Sequence, residues 1–305
     1  MKKISFDVAI IGGGIAGMTA AIYTAKANRS CVVLESNITG GIANSTYMVE
    51  NYPSYIEVHG MELMQKVRDQ VDHLSVTVEE VCEIISLNLE ANPKIIETSD
   101  ALYEGGAVIV ATGRKPILLE VPTESDRVHY CAVCDGPPYK DKKVIVIGGG
   151  NSAFDEALYL RQLGVSHITI VERMDKFLAA RQTQDRLFNG ENAVGHLSCA
   201  IADVIVEDGI LKAALLENIQ TGERIRVEAD GIFVFMGQVP NSELFKGILE
   251  LDKAGYIKAD ENMRTNIPGV FSAGDINVKS FRQLTTAAAD GTIAALMADR
   301  HLREA

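Results

Sequence analysis

Phe6-Asp7-Val8-Ala9-Ile10-Ile11-Gly12-Gly13-Gly14-Ile15-Ala16-Gly17 is the stretch on which the fold turns. An apolar, strand-like run enters a glycine turn, and Ile15 to Lys26 then reads as an Ala-rich helix. Cys31-Val32-Val33-Leu34 follows as a second strand and stops at Glu35. The pattern returns once. Lys143 to Ile147 is again a strand, Gly148-Gly149-Gly150 a turn, Asn151 to Leu163 a helix, and His167 to Val171 a strand stopped by Glu172. Strands that are apolar at successive positions, alternating with helices, belong in parallel sheets covered on both faces. The predicted class is α/β, with two Rossmann-like three-layer dinucleotide-binding domains.

Working outward, Gly105 to Gly113 is a further apolar strand ending in a turn, and Gly231 to Gly237 matches it near the end of the second copy. Arg114-Lys115-Pro116 and Val239-Pro240-Asn241 then read as the two crossings between domains. The expected organisation is a first domain at 1–114 and 242–305, with a second, 115–241, inserted into it. A chain of 305 residues suits two domains.

Gly12-x-Gly14-x-x-Gly17 has the three glycines that a dinucleotide turn needs. One makes the turn, one lets backbone approach a pyrophosphate, and one lets helix pack on strand. The helix N-terminus offers amides and a positive dipole end to the phosphates. Glu35, ending the next strand, suits ribose hydroxyls. The second chemical signal is Cys131-Ala132-Val133-Cys134-Asp135-Gly136. Half a zinc site would have to recruit scattered His or Cys ligands, since the sequence has no second Cys pair. A dithiol with a carboxylate beside it suits redox exchange, in which one thiolate attacks, its partner resolves and Asp135 relays a proton.

The formal charge of −12 argues against nucleic acid or an anionic membrane as partner. No apolar run approaches the roughly 20 residues of a membrane span. Met1-Lys2-Lys3 is followed by Asp7 rather than by a signal-peptide core, so a cytoplasmic protein is expected. Among five cysteines, Cys31, Cys82 and Cys199 read as core or surface thiols, and no metal is expected. His129 and Tyr130 are read either as tuning the dithiol or as packing beside it. The acidic run Val78 to Glu83 is read as a solvated face, and Pro137-Pro138 as stiffening the loop or helix start after the dithiol.

Taken together, these segments resemble the low-molecular-weight thioredoxin reductases over nearly the whole chain. The resemblance is carried by the first glycine turn, Gly40-Gly41, Val49-Glu50-Asn51-Tyr52-Pro53, Ala111-Thr112-Gly113, the Cys131 to Gly136 stretch and Gly148-Gly149-Gly150-Asn151-Ser152-Ala153. It continues through Ile267-Pro268-Gly269-Val270-Phe271-Ser272-Ala273-Gly274-Asp275 and Arg282-Gln283 to Thr286-Ala287-Ala288. It implies FAD held by Gly12, Gly14, Ala16, Gly17, Glu35, Ser36, Gly41, Asn51, Ala111, Thr112, Gly113, Gly274, Asp275, Arg282 and Gln283. Glu35 would serve the adenosine ribose, Asp275 the ribityl and pyrophosphate region, and Arg282-Gln283 the flavin ring. It further implies that Cys131 attacks the substrate disulfide, Cys134 faces the flavin and Asp135 is acid and base. A homodimer acting on thioredoxin or a thioredoxin-like protein, with domains that rotate, completes the expectation.

One segment departs from that family. Where NADPH-using members carry His-Arg-Arg-x-x-x-Arg, this chain has Glu172-Arg173-Met174-Asp175-Lys176-Phe177-Leu178. A 2′-phosphate would meet a carboxylate and lose its fork donors, so NADPH is expected to bind poorly unless Arg181 compensates. Two donors are then left open. NADH would use Gly148, Gly150, Asn151, Ser152, Glu172 and Arg173, as in the similar reductase partner of a peroxiredoxin. Alternatively reduced ferredoxin supplies the electrons, as in the ferredoxin-dependent flavin thioredoxin reductases, and the second turn persists for packing alone. An FAD-dependent dithiol oxidase using oxygen is the alternative reaction, and a flavin-binding sensor or scaffold the non-enzymatic one.

Overall fold

The computed structural model describes residues 2–120, 127–190 and 192–304, and Met1 of the N-terminal reading lies outside them. The chain separates into two compact units, Met1–Lys115 with Val239–Ala305, and Pro116–Gln238. The crossings Arg114–Pro116 and Gln238–Pro240, read above as linkers, pair as a short two-stranded ribbon.

In the first unit the strand Lys2–Ile11 pairs in parallel with Cys31–Leu34 on one side and Ala101–Val110 on the other. Thr77–Glu79 extends the sheet beyond Cys31–Leu34, and Val270–Ser272 joins the C-terminal half of Ala101–Val110. The N-terminal half of that strand turns instead to an antiparallel pair, Lys94–Thr98 and Ile84–Asn88. The continuous apolar runs are explained by what covers each face. Val8, Ile10, Val33, Ala107 and Ile109 pack with the helices Ile15–Lys26 and Leu284–Glu304. Their neighbours Ala9, Ile11, Val32, Leu34, Val108 and Val110 pack with Ile96, Tyr103, Phe245 and Leu249 on the opposite face. The two helices touch closely, since a Cβ at Gly291 would fall 2.2 Å from the Ala16 carbonyl oxygen.

The second unit repeats the scheme. Its parallel sheet runs in the order Ala193–His196, His167–Val171, Lys143–Ile147, Gly231–Val234, Val128–His129. Val144, Val146, Ile168, Ile170 and Phe233 face the helical side with Phe154, Leu160 and Leu187. Ile145, Ile147, Val171, Ile232 and Val234 face Cys199, Leu211 and Leu216 of a three-stranded antiparallel sheet, Cys199–Glu207, Ile210–Asn218 and Arg224–Glu228. The chain therefore has two Rossmann-like three-layer domains of α/β class.

Some boundaries differ from the sequence reading. The first strand begins at Lys2, before the apolar run, because its edge-exposed start still pairs with Ala101 to Tyr103. Within Val78–Glu83, Glu80 is tied down, accepting the Thr39 amide at 2.7 Å and pairing with Arg68 at 3.2 Å. Pro137–Tyr139 forms a 3-10 turn.

Candidate active site

Both glycine turns sit at the C-terminal ends of the central strands, where open α/β sheets bind ligands. Gly12 and Gly148 have φ of 109° and 122°, in the left-handed region that favours glycine. Gly14 and Gly150 precede their helices in extended conformation, with no side chain capping either helix. A Cβ at Gly14 or Gly150 would meet nothing within 4 Å, so a ligand can approach the helix amides from that side. At the third position the copies part. A Cβ at Gly17 would fall 1.9 Å from the Gly12 carbonyl oxygen, whereas position 153 already carries a buried Ala.

The strand-end carboxylates are held by backbone amides. Glu35 accepts from Gly13 N at 2.7 Å and from Asn37 N at 2.8 Å. Glu172 accepts from Met174 N at 2.9 Å, and a Cβ at Gly149 would fall 2.5 Å from its Oε2. Leu178 and Ala179 donate to the Gly149 carbonyl, and Ala180 N donates to Asn151 Oδ1 at 2.8 Å. Arg173 is exposed, and Arg181 pairs with Asp185 at 3.1 Å. Ser36 and Ser152 are exposed.

In the first unit, Ala111 approaches Gly12 and Gly274 approaches Ala16, so the segments carrying the expected cofactor residues meet at the turn. Gly41 lies beside Gly14, and Thr112 Oγ1 donates to the Asn241 carbonyl at 2.8 Å. Asp275 pairs with Arg114 at 3.2 Å, Asn51 Nδ2 donates to Gln283 Oε1 at 3.2 Å, and the Arg282 guanidinium lies 4.1 Å from the Tyr256 ring centre. Asp275 Oδ1, Arg114 Nε and Arg282 Nε are buried without a hydrogen-bond partner. Buried polar atoms of this kind ordinarily find partners. These unmatched groups, with the open face of Gly14, fit a polar dinucleotide. In the sequence Arg114 was read only as part of a crossing and Tyr256 went unnoticed, because neither lies in a cofactor motif.

Cys131 and Cys134 form a disulfide at the start of the short helix Ala132–Asp135, with Cα atoms 5.4 Å apart. Cys131 Sγ accepts from Cys134 N at 3.1 Å, and Cys134 is exposed. Asp135 Oδ2 lies 3.5 Å from His129 Nδ1. The turn rests on the helix Asn151–Gln162 and its end, since a Cβ at Gly136 would meet Leu160 and Leu163. One turn before Leu160 stands Glu156, whose Oε2 is buried with no partner. Burial, then the charge of Asp155, pushes its carboxyl up to about 7, opposed by a hydrogen bond from the Ala132 amide. Sequence reading missed Glu156; its place beside apolar positions 153, 157 and 160 was the available signal.

The other thiols are poor nucleophiles. Burial, helped by Asp7, pushes Cys31 up to about 12, and burial also raises Cys82 and Cys199. Among the described residues no cluster of three or more His, Cys, Asp or Glu could hold a metal, and no helix is long and apolar enough to cross a membrane.

A paired dinucleotide fold with an accessible Cys-x-x-Cys disulfide defines a disulfide oxidoreductase. The signature of the family described as pyridine nucleotide-disulphide oxidoreductase matches residues 6–291. The chain is 41% identical to a "34.2 kDa protein in rubredoxin operon" of Clostridium pasteurianum, covering 99% of this chain and 98% of that one. It is 40% identical to a thioredoxin reductase of Peptoclostridium acidaminophilum, with 97% of each covered. The crystal structure of Lactococcus lactis thioredoxin reductase superposes with a TM-score of 0.92 at 37% identity, covering 98% of this chain and all of that one. The chain belongs to the pyridine nucleotide-disulphide oxidoreductases, and within them is a flavoenzyme of the thioredoxin reductase type.

Proposed function

We propose that the chain passes electrons from FAD to the Cys131–Cys134 disulfide, and from the resulting dithiol to thioredoxin or a thioredoxin-like protein. The observation that carries this reading is an accessible disulfide with Asp135 directly after it, in a chain whose other unit has a dinucleotide turn ringed by unmatched buried polar groups. When bound, FAD supplies the two-electron store from which the disulfide is reduced. The amides after Gly14 receive the pyrophosphate, with Gly12 and Gly17 giving the turn its shape. Glu35 and Ser36 serve the ribose, and Arg114 and Asp275 the ribityl region. Asn51, Arg282 and Gln283 orient the ring system. Cys131 attacks the partner disulfide as a thiolate, Cys134 resolves the mixed disulfide, and Asp135 moves the proton. The resemblance further supports a homodimer acting in the cytoplasm.

The proposed donor is other than NADPH, because Glu172 brings a carboxylate to the end of the second strand, where a 2′-phosphate would be repelled, and Arg181 pairs with Asp185. Two donors each have an observation behind them. Glu172 repeats the posture of Glu35, accepting from the amide two residues on, which supports NADH on a ribose diol. The loss of the His-Arg-Arg-x-x-x-Arg cluster at Glu172 to Leu178 supports a donor that needs no nicotinamide site, such as reduced ferredoxin.

Anaerobic bleaching of the oxidised flavin on adding NADH, NADPH or reduced ferredoxin separately tests this. Bleaching by NADH makes Glu172 a ribose ligand; bleaching by ferredoxin alone leaves the second turn a packing element. Rapid bleaching by NADPH overturns the donor reading, and hydrogen peroxide released on adding a small dithiol would make the enzyme a dithiol oxidase.

A further inference from the structure

Of His129 and Tyr130, both left open by the sequence, Tyr130 accepts the Leu119 amide on its hydroxyl at 3.0 Å, and His129 faces the turn that carries the dithiol. His129 ends the edge strand Val128–His129, in register with Phe233 of the neighbouring strand. Its ring is fixed from two sides. Nε2 lies 2.7 Å from the hydroxyl of Tyr139, which is 5% exposed, and the ring lies 5.0 Å from that of Phe233. Nδ1 faces the Asp135 carboxylate at 3.5 Å. Among the described residues, Asp135 and Tyr139 are the titratable groups facing the imidazole from the turns packed on it, and Phe233 brings no charge. On its own strand side, Arg127 reaches toward the Asp230 carbonyl at 3.5 Å.

In the tautomer in which the Tyr139 hydroxyl donates to Nε2, the ring proton sits on Nδ1, aimed at Asp135. Packing alone would account for the ring but not for its polar edge meeting the carboxylate next to the dithiol. The Asp135 amide in turn donates to the Cys131 carbonyl at 3.1 Å, which fixes the backbone of Asp135 one turn after the attacking residue.

We propose that His129 and Asp135 form a proton-relay pair for the dithiol, with Tyr139 as the positioning residue that sets the imidazole. This rests on the dithiol function proposed above. When Cys131 ionises in the reduced enzyme, its proton resides on the pair. The Cys131 thiolate attacks a substrate disulfide, forming a mixed disulfide and expelling one thiolate, which takes that proton from Asp135, resupplied by His129. Cys134 gives its own proton to the vacated pair and attacks Cys131 Sγ. The second substrate thiolate leaves and takes this proton. Two electrons and two protons have left the enzyme as two thiols, and the Cys131–Cys134 disulfide is restored.

Leaving-group basicity separates this role from a structural one. FAD-loaded enzyme, reduced stoichiometrically with dithionite without oxygen, is mixed with hydroxyethyl disulfide, whose thiolate is basic, or with dithiobis(nitrobenzoate), whose thiolate needs no proton to leave. His129→Gln is expected to slow the aliphatic reaction by about tenfold or more and to flatten its pH profile near neutrality. Release of the first aromatic thiolate should stay within about twofold, since that step draws nothing from general acid catalysis. Tyr139→Phe, which keeps the ring packing, should show the same selectivity to a smaller degree. Equal slowing of both disulfides, or of neither, by these variants overturns the pair. If wild-type enzyme reduces neither these probes nor oxidised thioredoxin, the dithiol function itself falls, and the pair with it.

Discussion

The two glycine turns are built alike and loaded differently. Gly12 and Gly148 share their positive φ, Gly14 and Gly150 share their open face, and Glu35 and Glu172 each accept an amide two residues on. Among the described residues, unmatched buried polar atoms gather in the first unit at Asp275, Arg114 and Arg282, while after the second turn it is Glu156 Oε2 that lacks a partner. The helix of the first copy also presses so closely on its turn that only glycine fits at position 17. The helix of the second copy carries Ala153 there and has half-buried Glu156, its Oε2 out of solvent, where the first buries Ala20. A shared backbone can thus hold a cofactor in one copy while the other carries the dithiol. What divides the roles is the side chains around each turn.

The largest effect should come from the dithiol. Cys131→Ser is expected to abolish disulfide reduction while leaving flavin bound, measured as turnover against flavin content. Persistent turnover would remove the division of labour altogether. Next, Gly17→Ala places a Cβ 1.9 Å from the Gly12 carbonyl oxygen. It should cost about 3 kcal/mol and empty the flavin site, visible in thermal unfolding and flavin content.

A smaller effect is expected at Glu156, with a sign set by its raised carboxyl. The folded value of about 7, against an ordinary 4.5, means that the folded state holds a proton more tightly than the unfolded one. Stability from this group is therefore complete below the ordinary value and lost as pH rises through the folded value. Glu156→Gln should unfold about 2 kcal/mol later than wild type near pH 8, and the gap should close toward pH 4. A gap independent of pH would show that Glu156 is not a buried acid. The smallest change expected is in the donor site. Glu172→His with Met174→Arg should raise the rate of NADPH bleaching about tenfold, equivalent to one good phosphate contact. No gain would show that the second turn has lost more than its phosphate ligands.

Local rules carried most of the fold. The strands Cys31–Leu34, Lys143–Ile147 and His167–Val171 and the helix Ile15–Lys26 stand where periodicity and glycine spacing put them. Those signals depend on neighbouring residues, on φ and on whether a Cβ fits. The Cys131 and Cys134 pair was legible for the same reason, being three residues apart on one turn.

What no local rule could reach are contacts between distant segments. Arg114 meets Asp275 across 161 positions, and Arg282 lies over Tyr256. Glu156 stands under the dithiol turn, and His129 turns toward Asp135. Motif spacing records which backbone turns a chain can make. The burial of a carboxylate, and the partner an imidazole faces, depend on which strands and helices pack together, and so these were decided only when the chain folded.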